Sequence, residues 1–199
     1  MLDPKEVFKN HQATHATWKA PNGWDVEWMS WREPGTNIYA IIYLRMGPFL
    51  FIGGDVGEAT FSWSESHDLA WIASCNLDYF LSKCRASESG TRFEIWDEKK
   101  AKERLTDRLK SLDEEREGPD GDVEGGPVEQ EFAECGGWDA LEDRFTWDTW
   151  AAVNAYDVFG DDWYEGGMGA PGLTVHPRAI LIFEGLKLAI AQLKERRAV

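Results

Sequence analysis

The chain has 199 residues, with 21 Lys and Arg against 36 Asp and Glu, a net charge of -15. Apolar residues make up 43% and aromatic residues 13%, with 11 Trp, which excludes wholesale disorder and supplies a sizeable core. So acidic a balance also excludes a protein that grips a phosphate backbone over a broad surface.

The opening Met1-Leu2-Asp3-Pro4-Lys5-Glu6 has no apolar run behind basic residues and does not read as a signal peptide. Residues 24–63 read as a four-stranded antiparallel meander. Trp24, Val26 and Trp28 alternate with Asp25 and Glu27, the period of a half-buried strand. Arg32–Thr36 contains Pro34-Gly35 and turns the chain. Asn37–Arg45 is β-branched and aromatic, Met46-Gly47-Pro48 turns again, and Phe49–Ile52 returns. Thr60–Trp63 supplies the fourth strand. Connections this short require antiparallel neighbours.

Helices follow. Ser64 or Ser66 caps a predicted helix running to about Cys84, with Leu69, Ile72, Leu77, Phe80 and Leu81 as its apolar stripe. Asp97 caps a second, to about Glu117, with Ala101, Leu105, Leu109 and Leu112 inward. Gly118–Pro127 is a loop without core residues, and short helical pieces follow between Val128 and Ala155. Residues 160–172 are Gly-rich, and Pro177 opens a last helix to about Arg197, apolar over most of its circumference and so packed on two sides. Its greasiest stretch, Ala179–Leu193, carries Glu184, Lys187 and Gln192, too short and too polar to span a bilayer. The fold class expected is α+β: a sheet-plus-helices core over 1–117, and an acidic, mainly helical annex over 118–199 completing the same domain.

Three cysteines, Cys75, Cys84 and Cys135, form no disulfide framework and point to a reducing compartment. His11 and His15 stand four apart, which on a helix gives one two-imidazole face, but no third ligand is near and the general-base Glu of the zinc-peptidase motif is missing. Asp161-Asp162 lacks the alternate spacing of a calcium loop and reads as a turn or cap. Gly53-Gly54-Asp55-Val56-Gly57 lacks both the Lys-Ser/Thr pair and the dinucleotide spacing. No catalytic constellation and no cofactor follow from these residues.

Charge is the informative feature. Residues 113–165 hold 18 acids against Arg116 and Arg144. Aromatic residues interleave with them, so the segment is expected to fold and to display its acids on a fixed surface. The candidate partner-binding residues are Glu114, Glu115, Glu117, Asp120, Asp122, Glu124, Glu129, Glu131, Glu134, Asp139, Asp161 and Asp162, with Trp138 and Trp163 as aromatic anchors. Such a ridge imitates a polynucleotide and steers toward a basic surface. The plainer reading is that the acids only keep the protein soluble.

The runs Gly35–Tyr39, Leu50–Ala59, Leu69–Phe80 and Lys83–Glu88, with the later Phe159–Glu165 and Gly185–Ile190, resemble a group of small acidic bacteriophage and prophage proteins. Together they cover most of residues 35–190. The resemblance implies a viral accessory protein in the host bacterial cytoplasm. Phage proteins of this size and charge include inhibitors of host nucleic-acid machinery, anti-CRISPR proteins among them. The expected partner is then a basic host protein or ribonucleoprotein complex, with neither direct nucleic-acid binding nor a membrane. Two alternatives stand beside it: a metal-dependent enzyme acting on a nucleotide or small ligand, and a non-catalytic interaction module that docks through its sheet or an exposed Trp face.

Overall fold

The computed structural model describes residues 2–88, 93–116, 127–159, 163–164 and 168–198. The chain parts into two compact units, Met1–Glu94 with Val175–Val199, and Ile95–Thr174.

The first unit is a sheet with helices on one face. After a single helical turn, α1 (Pro4–Val7), come β1 (Gln12–Lys19), β2 (Asp25–Arg32), β3 (Ile41–Met46), β4 (Phe49–Gly54) and β5 (Ala59–Ser62). Then follow α2 (Leu69–Ser74), α3 (Leu77–Ser82) and β6 (Cys84–Ser87). The sheet has six strands in the order β1-β2-β3-β4-β5-β6, every neighbouring pair antiparallel. The class is α+β as expected, but the sheet has six strands rather than four.

Both added strands have physical explanations. The Gln-Ala-Thr-His-Ala-Thr-Trp-Lys of β1 has few large apolar residues, because β1 is an edge strand, paired only with β2. The helix expected to reach Cys84 stops at Ser74, and Asn76 starts a new one by accepting from the Tyr79 amide at 2.8 Å. That second helix ends at Ser82, freeing Cys84–Ser87 to pair with β5. The strand expected from Asn37 begins at Ile41. Tyr39 has φ 55, and its amide donates to Asp55 Oδ2 at 2.8 Å, so residues 37–40 turn rather than extend. The β3–β4 hairpin turns at Gly47, φ +56, where an added Cβ would meet the Trp24 ring at 2.8 Å.

The long helix α7 (Pro177–Ala198) packs on β1 and β2 and against α1, α2 and α3, so it is covered on two sides. Met29, Trp31, Ile41, Tyr43, Leu50 and Phe61 face it in one core. Gly185 permits the approach: an added Cβ would lie 3.0 Å from both Ile41 Cδ1 and the Tyr43 hydroxyl. That hydroxyl, fully buried, donates to the Ile182 carbonyl at 2.7 Å. Gln192 accepts from the Ala13 amide at 2.9 Å and donates to the His11 carbonyl at 3.1 Å, fixing β1 to α7.

The opposite sheet face carries the rows Trp18–Val26–Met46–Phe49 and Ala16–Trp28–Leu44–Phe51. The helices gather on the other side.

The second unit is helical: α4 (Glu98–Arg116), α5 (Val128–Glu134), a 3₁₀ turn (Asp139–Leu141) and α6 (Arg144–Phe159). Its own core holds Leu105, Leu109, Phe132, Trp147, Trp150 and Phe159. The inward stripe read for α4 is observed, with Ala101, Leu105 and Leu109 buried and Leu112 partly buried. Phe132 is the hub, edge-on to Trp138 and Trp150 at 4.9 and 5.0 Å. Indole N–H groups satisfy loop carbonyls, Trp96 to Leu141 and Trp150 to Cys135, both at 2.9 Å. A short ribbon, β7 (Glu94–Trp96) with β8 (Leu173–Val175), lies where the chain crosses between the units.

Candidate functional site

The division into units sharpens the charge pattern. Residues 95–174 hold 22 acids and eight bases, a net -14, which leaves 14 acids, 13 bases and a net -1 for the sheet unit. The acids of the helical unit behave in two ways. Four of the six on α4 are matched along the same helix: Glu98 to Lys102 at 2.6 Å, Glu103 to Lys99 at 3.7 Å, Glu114 to Lys110 at 4.0 Å and Glu115 to Arg108 at 3.1 Å. Exposed pairs of this kind add little stability, but they cancel local field. Glu114 and Glu115 therefore give little to an anionic ridge.

The acids on α5, the 3₁₀ turn and α6 are differently placed. Glu129, Asp139, Glu142 and Asp157 are exposed, and no Lys, Arg or His among the described residues lies within ion-pair distance of them. Glu134 Oε1 accepts from Gln130 Nε2 at 2.7 Å, which orients it without neutralising it. Asp148 pairs with Arg144 at 3.5 Å. Asp143 caps α6 by accepting from the Thr146 amide at 2.8 Å, and that bond holds its carboxyl below the usual range. Glu131, Glu134 and Asp157 line a cleft of about 360 Å³ between α5 and α6, with Cys135, Asn154 and Val158 as the other walls and no basic side chain among them. A cleft of that composition suits the ammonium or guanidinium of a Lys or Arg.

The aromatic residues of the unit lie at different depths. Trp138 is half-buried, edge-on to Phe132, and Trp163 packs partly buried against the same core. The protruding groups are Phe145 and Tyr156, 79% and 63% exposed, which share one face of α6 with Val153. Their spacing, in steps of four, four and three through Phe145, Thr149, Val153 and Tyr156, is the signal of that shared face in the sequence. Glu117, Asp120, Asp122, Glu124, Asp161 and Asp162 lie outside the described residues.

The two histidines separate. His11 precedes β1 and is buried between Phe8 and Trp31, and desolvation lowers its pKa. His15 lies on β1, so the spacing of four does not place the pair on a helix face. Its Nε2 is 3.7 Å from Glu27 in a cleft of about 230 Å³ that Asp68, Lys194 and Arg197 also line. The carboxylates there are committed. Glu27 accepts from Arg45 Nη2 at 2.7 Å and from the Leu69 amide at 3.2 Å, and Asp68 accepts from the Trp71 amide at 2.7 Å. Both hold the start of α2 in place. Burial raises the Cys75 thiol. Among the described residues no three His, Cys, Asp or Glu side chains gather as a metal would require, and no helix is long and apolar enough to cross a membrane.

Compared with protein-family models, with curated proteins and with solved structures, the chain matches none.

Proposed function

We propose that this protein acts by binding rather than catalysis, its acidic helical unit occupying a basic, nucleic-acid-binding surface of a host defence complex. The observation that carries the reading is the cleft between α5 and α6, walled by Glu131, Glu134 and Asp157 and lacking a basic lining residue, in a unit of net charge -14. A partner Arg or Lys entering it exchanges water for charge-assisted hydrogen bonds. The surrounding field raises the encounter rate by roughly 10 to 10³-fold at low salt. The aromatic core under α5 and α6 supports the reading, because carboxylates held in place lose less entropy on binding than those on a tail. The resemblance to phage proteins supplies the biological setting, an anti-CRISPR-like inhibitor in the bacterial cytoplasm.

The test is competition. Tagged protein is incubated with bacterial lysate at low salt, and retained proteins are identified and challenged with duplex DNA. The reading expects a nucleic-acid-binding protein or complex that DNA displaces, and expects its loss when Glu129, Glu134, Asp139 and Asp157 are changed to Lys. Retention unaffected by DNA and by these reversals would refute it.

A further inference from the structure

The sheet face away from α7 is unlike the exposed face of an ordinary antiparallel sheet, which is polar. Three consecutive rows across β1–β5 place 14 residues on it, from Thr14, Ala16 and Trp18 on β1 to Thr60 and Ser62 on β5, and none is Asp, Glu, Lys or Arg. In a chain with 29% charged residues that absence is selective. Large apolar side chains stay in solvent there: Trp18 is 50% exposed, Ile42 43%, Trp24 39% and Phe51 37%. Trp28 and Leu44 between them are only partly covered.

We infer that this face pairs with the same face of a second copy, forming a two-fold sheet-on-sheet dimer. Three observations select that occupant. The three rows themselves have no charge to match, with Arg32 in the row beyond Ser30 and Glu58 beyond Thr60 at the margin, so a charged partner surface set over the rows would lose its water without compensation. Rows with Trp, Phe, Leu and Ile at their centre are what the face itself presents, and two-fold pairing sets these rows against one another at the ~10 Å spacing of stacked sheets. The unit that carries it is nearly neutral, net -1, so the face lies on the part of the chain with least charge to repel a second copy, and salt screens the rest. The area is also of the right order. Trp and Phe offer roughly 150–250 Å² each when fully covered, so the exposed fractions at Trp18, Trp24, Ile42 and Phe51 leave about 350 Å². The partly covered neighbours bring this to about 600 Å² per copy, or ~1,200 Å² in the pair, the lower bound of stable interfaces. The dimer is therefore a reversible one, populated at micromolar concentrations and above. Its driving force is apolar, so salt does not weaken it. The inference stands apart from the acidic unit.

Sedimentation velocity from about 1 to about 200 µM, at low and high salt, tests it. The expected result is a mass rising with concentration from the 22.6 kDa of one chain toward twice that, at least as strongly at high salt. Ile42→Lys and Phe51→Lys, at exposed positions on β3 and β4, are expected to weaken association by about tenfold or more each. Their circular dichroism is expected to match the parent, and Ala16→Glu on β1 serves as a third variant should either fail to fold. A parent that stays monomeric over the whole range overturns the inference. So does a dimer that all folded variants retain, or one that high salt dissolves.

Discussion

The Arg45–Glu27 pair offers the sharpest perturbation of the sheet unit. The two side chains are 6% and 12% exposed, and Arg45 Nη2 meets Glu27 Oε1 at 2.7 Å. Arg45 Nη1 also donates to the Asp25 carbonyl at 2.8 Å and to Ser66 Oγ at 3.2 Å, while Glu27 receives the first amide of α2. Arg45→Met keeps most of the apolar stem but removes these donors. Breaking a buried pair by losing one partner costs about 3–5 kcal/mol. Glu27 keeps the Leu69 amide and a sliver of solvent, so the lower end applies, about 3 kcal/mol. For a unit of this size that lowers the melting temperature by roughly 10 °C. Differential scanning calorimetry measures it, with hydrogen exchange at β3 and at the start of α2 locating the loss. Adding Glu27→Gln to Arg45→Met removes the stranded charge, so the double variant is expected to be less destabilised than the two single losses combined. A cost below about 1 kcal/mol, or strict additivity of the two changes, refutes the view that this pair ties β2 and β3 to α2.

Tyr43→Phe removes the hydroxyl that donates to Ile182 and is expected to cost about 1 kcal/mol in urea unfolding, since the helix carbonyl keeps its own partner. Gly137→Ala sets a Cβ 2.2–2.5 Å from ring atoms of Phe132, a ring wedged among Trp138, Trp150 and Phe159. It is expected to destabilise the helical unit by about 1–3 kcal/mol, seen as early loss of protection in α5 and α6 while the sheet stays protected. The pH dependence follows from His11 and His176, whose folded-state pKa values burial lowers. As pH falls below neutrality the unfolded chain takes up these protons first, so stability declines from about pH 7 toward pH 5, and His11→Asn flattens part of that decline in thermal melts.

The centre of the sheet was legible because alternation from Trp24 to Trp28 and the turn at Gly47 are local signals. Its margins were not. At β1 an edge strand of Thr, Ala and His is stabilised by Gln192 and Arg196, some 180 residues distant, through bonds to Ala13. The split at Asn76 was in principle visible, since Asn is a strong cap, but an apolar stripe continuing to Leu81 masked it. At the candidate site the charge density was plain, and so was the spacing that lets lysines cancel acids along α4, as Glu98 and Lys102 do. Which rings protrude depends on how α5 and α6 pack around Phe132, so the exposure of Phe145 and Tyr156 beside the half-buried Trp138 and Trp163 is not legible from local spacing alone.

The most direct measurement is the salt dependence of partner binding, taken with the partner captured from lysate and displaced by duplex DNA, and titrated by calorimetry or interferometry from about 50 to about 500 mM salt. Affinity is predicted to fall by more than tenfold across that range, with log affinity linear in log salt. The variant with Glu129, Glu134, Asp139 and Asp157 changed to Lys is predicted to show no measurable binding while keeping the parent's fold. Affinity unchanged from low to high salt, or undiminished in that variant, would contradict the claim that the carboxylates of the helical unit make the contact.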